Sequence, residues 1–304
     1  MNIFFDQAFT LLSHSFETTR KAAWIAESMR ENPIPGVDIQ QPKALEKSDL
    51  MEVHSVEYVE ALESGDPRQL AESHGFPWEP NLFPMVLSTS GGVVAAVEAA
   101  RRCGISGSLS TGLHHARRAV GKGFCAVNGL AIAAKKALRA GCQRVLILDM
   151  DAHCGGGTQD CISNESKVFQ VDLSVHPFDR YQPAHNSHLV MVDHGADYLT
   201  CIEQELETLA SRDMGFDLCL YNAGMDPFEF CPHGGLEGVS KRVLLERERM
   251  VFRWCLRQRI PVAFVIAGGY LGGRLERQDL VGLHRMTIEA AAEELQESKP
   301  SATA

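Results

Sequence analysis

Four short segments carry side chains able to do acid–base or metal chemistry, and each follows a run of apolar residues. The first reads Asp149-Met-Asp151-Ala-His153-Cys154-Gly155-Gly156-Gly157. At a spacing of two, an extended chain projects Asp149, Asp151 and His153 to one face. Carboxylate oxygen with imidazole nitrogen is a donor set suited to zinc or a similar divalent ion. A helix N-cap beside a histidine packed on a glycine-rich turn uses the same residues without any metal. The second segment, Asn222-Ala-Gly-Met-Asp226, offers an acid that either caps a helix or completes three ligands, the set a catalytic zinc keeps with one position open. The third, Ala267-Gly-Gly-Tyr270-Leu-Gly-Gly273, joins backbone freedom for close approach to a phenol able to donate to a developing oxyanion, although plain packing is the commoner use of such a tyrosine. The fourth, Thr111-Gly-Leu-His114-His115, sets adjacent imidazoles where a general acid or base is wanted.

These positions acquire meaning from the elements that lead into them. Arg144–Asp149, Val168–Leu173, Phe216–Asn222 and Pro261–Ala267 are short apolar runs of the kind that form buried parallel strands, and Gly107–Ser110 is a shorter one. Helical patterns alternate with them over Met85–Cys103, Asn128–Ala140, Asp197–Arg212 and Ser240–Arg259, with Gly104 and Gly141 as stops. Alternating strands and helices imply an α/β fold, a parallel sheet covered on both faces, with ligands bound beyond the carboxyl ends of its strands. Asn32–Pro42 and Pro77–Pro84 read as surface loops, Glu246–Arg249 as a solvated helix face, and Trp24, Trp78 and Trp254 as packing. Residues 1–297 are expected to form one domain and 298–304 a disordered tail.

Composition narrows the class. The 304 residues carry 29 Lys+Arg against 39 Asp+Glu, a net charge of −10, which argues against nucleic-acid binding and is compatible with a cationic substrate. No continuous 18-residue apolar run and no basic, apolar leader occur, so neither membrane association nor a signal peptide is expected. Nine scattered cysteines, with no CxxC pair, suit a reducing cytoplasm. Phosphate-binding GxxxxGK[ST] and GxGxxG loops are missing, as are HExxH and GxSxG.

Taken in order, the motifs resemble the histone deacetylase family of the arginase/deacetylase superfamily. The likeness runs from Val53-His54-Ser55 and Ser90-Gly-Gly-Val93 through His114-His115-Ala, Gly123-Phe124-Cys125, Asn128 and Arg144–Gln159 to Ala223-Gly-Met-Asp226 and Gly268-Gly-Tyr270. A stand-alone domain of this length looks most like the bacterial deacetylase-like amidohydrolases. The resemblance implies a metal-dependent deacetylase that removes an acyl group from an amine such as acetyl-lysine or an acetylated polyamine. Asp151, His153 and Asp226 would hold one Zn2+, with Fe2+ also suited to the donors. His115 would be the base with His114 beside it, and Tyr270 the oxyanion donor. Gly123, Phe124, Tyr181 and His233 would line the substrate channel. Asp149 and Asp172 would serve a structural K+ and the orientation of His114. Dimerisation is left open as a way of closing the pocket.

Two departures from the family pattern bear on this reading. Relatives usually continue Asp-x-His with a second histidine and Gly-Asn-Gly or Gly-Asp-Gly, whereas this chain has Cys154 and Gly156. Gly156 removes the group that steadies the second histidine, so a catalytically impaired metal-binding scaffold protein is the alternative function. Asp172-x-Ser174 replaces the usual Ser-x-His. A binuclear, arginase-like site would need an acid where Gly155 stands. The remaining histidines, His14, His54, His74, His176, His185, His188, His194 and His284, are read as structural or exposed.

Overall fold

The runs Val145–Asp149, Leu218–Ala223 and Val262–Ile266 are buried along their whole length, a pattern that arises when both faces of a sheet are covered. The computed structural model describes residues 1–12, 16–212 and 214–298; His14 and positions 299–304 of the expected tail lie outside them. Among the described residues the strands are β1 (Asn2–Phe4), β2 (Asp38–Gln40), β3 (Ile105–Ser108), β4 (Val145–Asp149), β5 (Val168–Ser174), β6 (Ser187–Met191), β7 (Leu218–Ala223) and β8 (Val262–Ile266). They form one sheet in the order β2-β1-β3-β8-β7-β4-β5-β6, parallel at every pairing. The helices are α1 (Lys21–Glu31), α2 (Lys47–Leu50), α3 (Val56–Ser64), α4 (Arg68–Ala71), α5 (Leu82–Cys103), α6 (Gly129–Arg139), α7 (Gly156–Ile162), α8 (Tyr198–Ser211), α9 (Lys241–Gln258) and α10 (Arg277–Glu297).

Strand alternation sorts the core into two layers. Val145 and Ile147 of β4 and Leu218 and Leu220 of β7 pack with α3, α5 and α6. Leu146, Leu148, Cys219 and Tyr221 face the other way, toward α1, α8, α9 and α10. By length and composition α5 could cross a membrane, but 78% of its most apolar window is buried inside the protein, as in a core helix. The connection from β3 to β4 passes over β8 and β7, so the carboxyl ends of β3, β8, β7 and β4 open side by side. A crevice at such a crossing is where α/β sheets place ligands.

Two sequence expectations need correction. Asn32–Pro42 is not only a loop: Asp38–Gln40 is the edge strand β2, too short and too exposed to show a period of its own. Nor is Glu246–Arg249 a solvated face. Arg247 and Glu248 are fully buried, because a helix wedged between α8 and α10 puts charged positions inside as well as out. Arg247 Nε donates to Glu248 Oε1 at 2.8 Å, and its Nη1 donates to the Met150 carbonyl at 3.2 Å and to the Tyr198 hydroxyl at 3.1 Å. The Tyr221 hydroxyl donates to the same Glu248 oxygen at 2.9 Å. Through Met150, α9 thus fixes the backbone between Asp149 and Asp151. Truncating Arg247→Ala leaves Glu248 as an uncompensated buried charge and is expected to cost about 3–5 kcal/mol in urea unfolding.

Candidate active site

The functional groups sit on the loops that follow the strands. The loop after β4 carries Asp151 and His153, the loop after β7 carries Asp226, and the loop after β8 carries Tyr270. His153 Nδ1 is aimed between two carboxylates, 3.2 Å from Asp151 Oδ1 and 3.1 Å from Asp226 Oδ2. The donor atoms of these three residues all lie within 4.8 Å of one another, the only such acid/histidine/cysteine cluster among the described residues. Backbone N–H groups take the remaining lone pairs: Gly268 donates to Asp151 Oδ2 at 2.7 Å and Ala152 to Asp226 Oδ1 at 2.9 Å. At Gly268 a side chain would collide with both carboxylates, so the glycine is what lets the β8 loop close over them.

The electrostatics suit a cation. Burial, aided by the neighbouring Asp151 charge, raises Asp226 to about 6. Burial also opposes a charge on His153, but the Asp151 and Asp226 carboxylates outweigh it and lift that histidine to about 10. Two buried acids converging on one imidazole nitrogen fit a divalent ion and lack a better explanation as packing. Buried Lys21 adds a further positive group, donating its Nζ to the Ala267 carbonyl; burial lowers it to about 8 against the pull of Asp226 and Asp151.

The two adjacent histidines part company. His114 Nδ1 lies 2.8 Å from Asp149 Oδ2, and although burial disfavours its charge, Asp149 and Asp151 raise it to about 10. His115 is lowered to about 4 by burial and by charged His114. The pair is therefore a neutral imidazole beside an imidazolium, their ring centroids 4.0 Å apart. The loop that holds them is pinned by residues of the earlier motifs. Asn128 Nδ2 donates to the Ala116 carbonyl at 3.1 Å and to Thr158 Oγ1 at 3.0 Å, while its Oδ1 caps α6. His54 accepts from Asn128 N–H at 2.9 Å and donates through Nδ1 to the Arg117 carbonyl at 2.9 Å.

Gly123 and Phe124 both adopt left-handed backbone, forming a tight turn between Lys122 and Cys125. A side chain at 123 would meet His115 Cδ2 at 2.6 Å, so this turn brings the backbone against His115. Phe16, Phe124, His176, Phe178, His233 and Tyr270 line the cleft above the histidines. Phe124 and Phe178 stay 42% and 40% exposed, a pair of open aromatic faces suited to an apolar ligand segment. Burial, with Asp226 and Asp151 nearby, holds the Tyr270 phenol well above its ordinary range and so neutral.

Tyr181, expected at the channel wall, is not there. Asp179 turns the loop with φ +60°, so Phe178 faces the cleft and Tyr181 folds inward, its hydroxyl 3.4 Å from the His188 carbonyl. Burial and the Asp172 and Asp149 charges push that phenol up. His176, read as structural or exposed, is exposed and lines the cleft, its ring 5.0 Å from His153. Sequence reasoning also missed Asp179, whose Oδ2 lies 3.1 Å from His115 Nδ1; an acid in the loop after β5 was the available signal. Around the expected potassium site, Asp149 accepts from His114, Asn222 and the Asp151 N–H, and Asp172 from Gly155 N–H and Ser174. Every oxygen of both acids already has a protein donor, and burial next to Asp149 raises Asp172 well above the carboxylate range.

Comparison with known proteins settles the family. The histone deacetylase domain signature matches residues 14–280. The chain belongs to the histone deacetylase family. An uncharacterized protein of Picosynechococcus is 31% identical over 268 residues, covering 86% of this chain and 88% of that one. Histone deacetylase 2 of Arabidopsis thaliana is 31% identical over 248 residues, 77% of this chain and 63% of that protein. An acetylpolyamine aminohydrolase from Burkholderia pseudomallei shares the fold with a TM-score of 0.78 at 21% identity, over 96% of this chain and 98% of that structure. This histone deacetylase family member is accordingly a deacetylase, a hydrolase acting on amide bonds.

Two outcomes follow for the candidate metal centre. Below about pH 10 a metal must displace the His153 proton, so its apparent affinity rises about tenfold per pH unit from neutrality upward, as read by competition with a chromophoric chelator. Gly268→Ala should abolish stoichiometric zinc by elemental analysis while leaving the circular dichroism spectrum unchanged.

Proposed function

We propose that this deacetylase is a zinc-dependent amidohydrolase whose substrate is the acetylated amine of a lysine side chain or another singly charged alkylamine. The observation that carries the reading is the convergence of Asp151, His153 and Asp226 beneath a neutral His115 and a neutral Tyr270. A zinc ion held by those three residues would supply Lewis acidity, polarising the acyl carbonyl and acidifying an attacking water. His115 receives the water proton and passes it to the leaving amine as the carbon–nitrogen bond breaks, giving a carboxylate and a free amine. Charged His114, held by Asp149, keeps its neighbour from protonating in the resting state. Tyr270 donates to the carbonyl oxygen as negative charge develops there. The Gly123 carbonyl would accept the amide N–H, and Phe124 with Phe178 would shield the alkyl chain from water.

Charge at the rim favours lysine over polyamine. His233 lies where an acid would recruit a second ammonium, its ring 5.6 Å from Tyr270. Lys122 stands over Phe178 at 5.4 Å and would repel a polycation. A cytoplasmic setting accords with nine cysteines that are all free thiols.

The test is amine release by zinc-loaded protein from acetyl-lysine peptide, trifluoroacetyl-lysine peptide, N-acetylputrescine and N-acetylspermidine, with Asp151→Ala as blank. Acetyl-lysine peptide is expected to exceed N-acetylspermidine, and Tyr270→Phe to lower kcat by about 100- to 1000-fold. A flat panel from protein holding one zinc per chain would overturn the proposal in favour of an impaired, metal-binding relative.

A further inference from the structure

The position that relatives use to steady the second histidine is Gly156 here, yet the histidine is not left free. His115 Nδ1 faces Asp179 Oδ2 at 3.1 Å, and the Asp179 side chain has no solvent exposure. Its other oxygen accepts from Lys122 Nζ at 2.6 Å and from the Arg117 guanidinium. Arg117 Nη1 also donates to the Gly156 carbonyl at 3.0 Å, tying the clamp to the start of α7. The Cys154 N–H donates to the Phe178 carbonyl at 3.0 Å and fastens the Asp179 loop to the metal-binding loop.

Space and charge agree. A side chain added at Gly156 would collide with the Asp179 backbone carbonyl and meet its Cγ and Oδ1 at 3.0 Å. The volume vacated at 156 is thus the volume that residue 179 occupies. Asp179 reaches it only through a left-handed backbone, φ +60°, a region that aspartate tolerates better than most residues.

The geometry points to Asp179 as the positioning residue for His115, a carboxylate supplied from the loop after β5 in place of one on the metal-binding loop. This rests on His115 being the base of the proposed reaction. A carboxylate only accepts, so Nδ1 carries the imidazole proton and Nε2 keeps the lone pair that a base requires. Lys122 and Arg117 only donate, and they hold the second oxygen so that the first stays on His115.

That arrangement makes the isosteric change harmful. In Asp179→Asn the two cationic donors would capture the amide oxygen and turn its NH2 toward His115 Nδ1. The amide would then donate, forcing the proton onto Nε2. Asp179→Ala removes the restraint without reversing it.

The test reads the imidazole directly, in zinc-loaded protein labelled with 15N-histidine. Wild type should show His115 as the Nδ1–H tautomer and Asp179→Asn as the Nε2–H tautomer, with zinc content and the His114 signals unchanged. On the substrate the wild type turns over, both variants should lose about tenfold to a hundredfold in kcat with KM unchanged, Asp179→Asn losing at least as much as Asp179→Ala. Retention of the Nδ1–H tautomer in Asp179→Asn, or wild-type kcat in that variant, would overturn the assignment. Should no substrate be turned over, the proposed function fails, while the tautomer comparison still decides the role of Asp179. If Asp179→Ala does not fold, the isosteric Asn variant carries the test alone.

Discussion

Four buried carboxylates, Asp149, Asp151, Asp172 and Asp226, crowd the carboxyl ends of β4, β5 and β7, and the fold is organised around keeping them there. Buried acids are tolerated only when paired, hydrogen-bonded or protonated, and each solution occurs here. His114 neutralises Asp149, His153 bridges Asp151 and Asp226, and Asp172 is pushed toward its neutral form by burial and its neighbour. Backbone N–H groups of Ala152 and Gly155, from the loop after β4, and of Gly268, from the loop after β8, complete the arrangement. Glycine at 268 and at 155 is required by the close approach of those loops to acid side chains.

Deeper support comes from groups that never reach the cleft. Arg247 sits beneath Met150 and holds the turn between two of the acids, and Lys21 braces the loop after β8. The price is a helix, α9, with an ion pair in its interior face, to which Tyr198 and Tyr221 are hydrogen-bonded. Rigidity at the strand ends is therefore secured by helices on one face of the sheet, while the His114–His115 loop is secured from the other face through Asn128 and His54.

Much of this was legible in the sequence because the central strands are continuous apolar runs and each ends in a chemically distinctive residue. β4, β5, β7 and β8 lie within two residues of their expected bounds, and Asp151, His153 and Asp226 meet as their spacing and strand positions suggested. The edge strands β2 and β6, and β1 next to β2, carried no comparable signal, being short or half-exposed. Arg247 and Glu248 were illegible for another reason: charge predicts solvent on average, and only packing tells which charged helix positions face inward. Phe178 and Asp179 depended on one left-handed residue in a loop, where an aromatic three positions later offered an equally plausible wall.

The neighbours Phe178 and Asp179 sit on one stretch of chain, yet one borders the cleft and the other pairs with His115. A mutation that restores an acid at position 156 collides with the 179 backbone, and a loop lengthened to reshape the cleft withdraws the carboxylate from His115. The two positions are therefore coupled through space: what fits at one depends on what stands at the other.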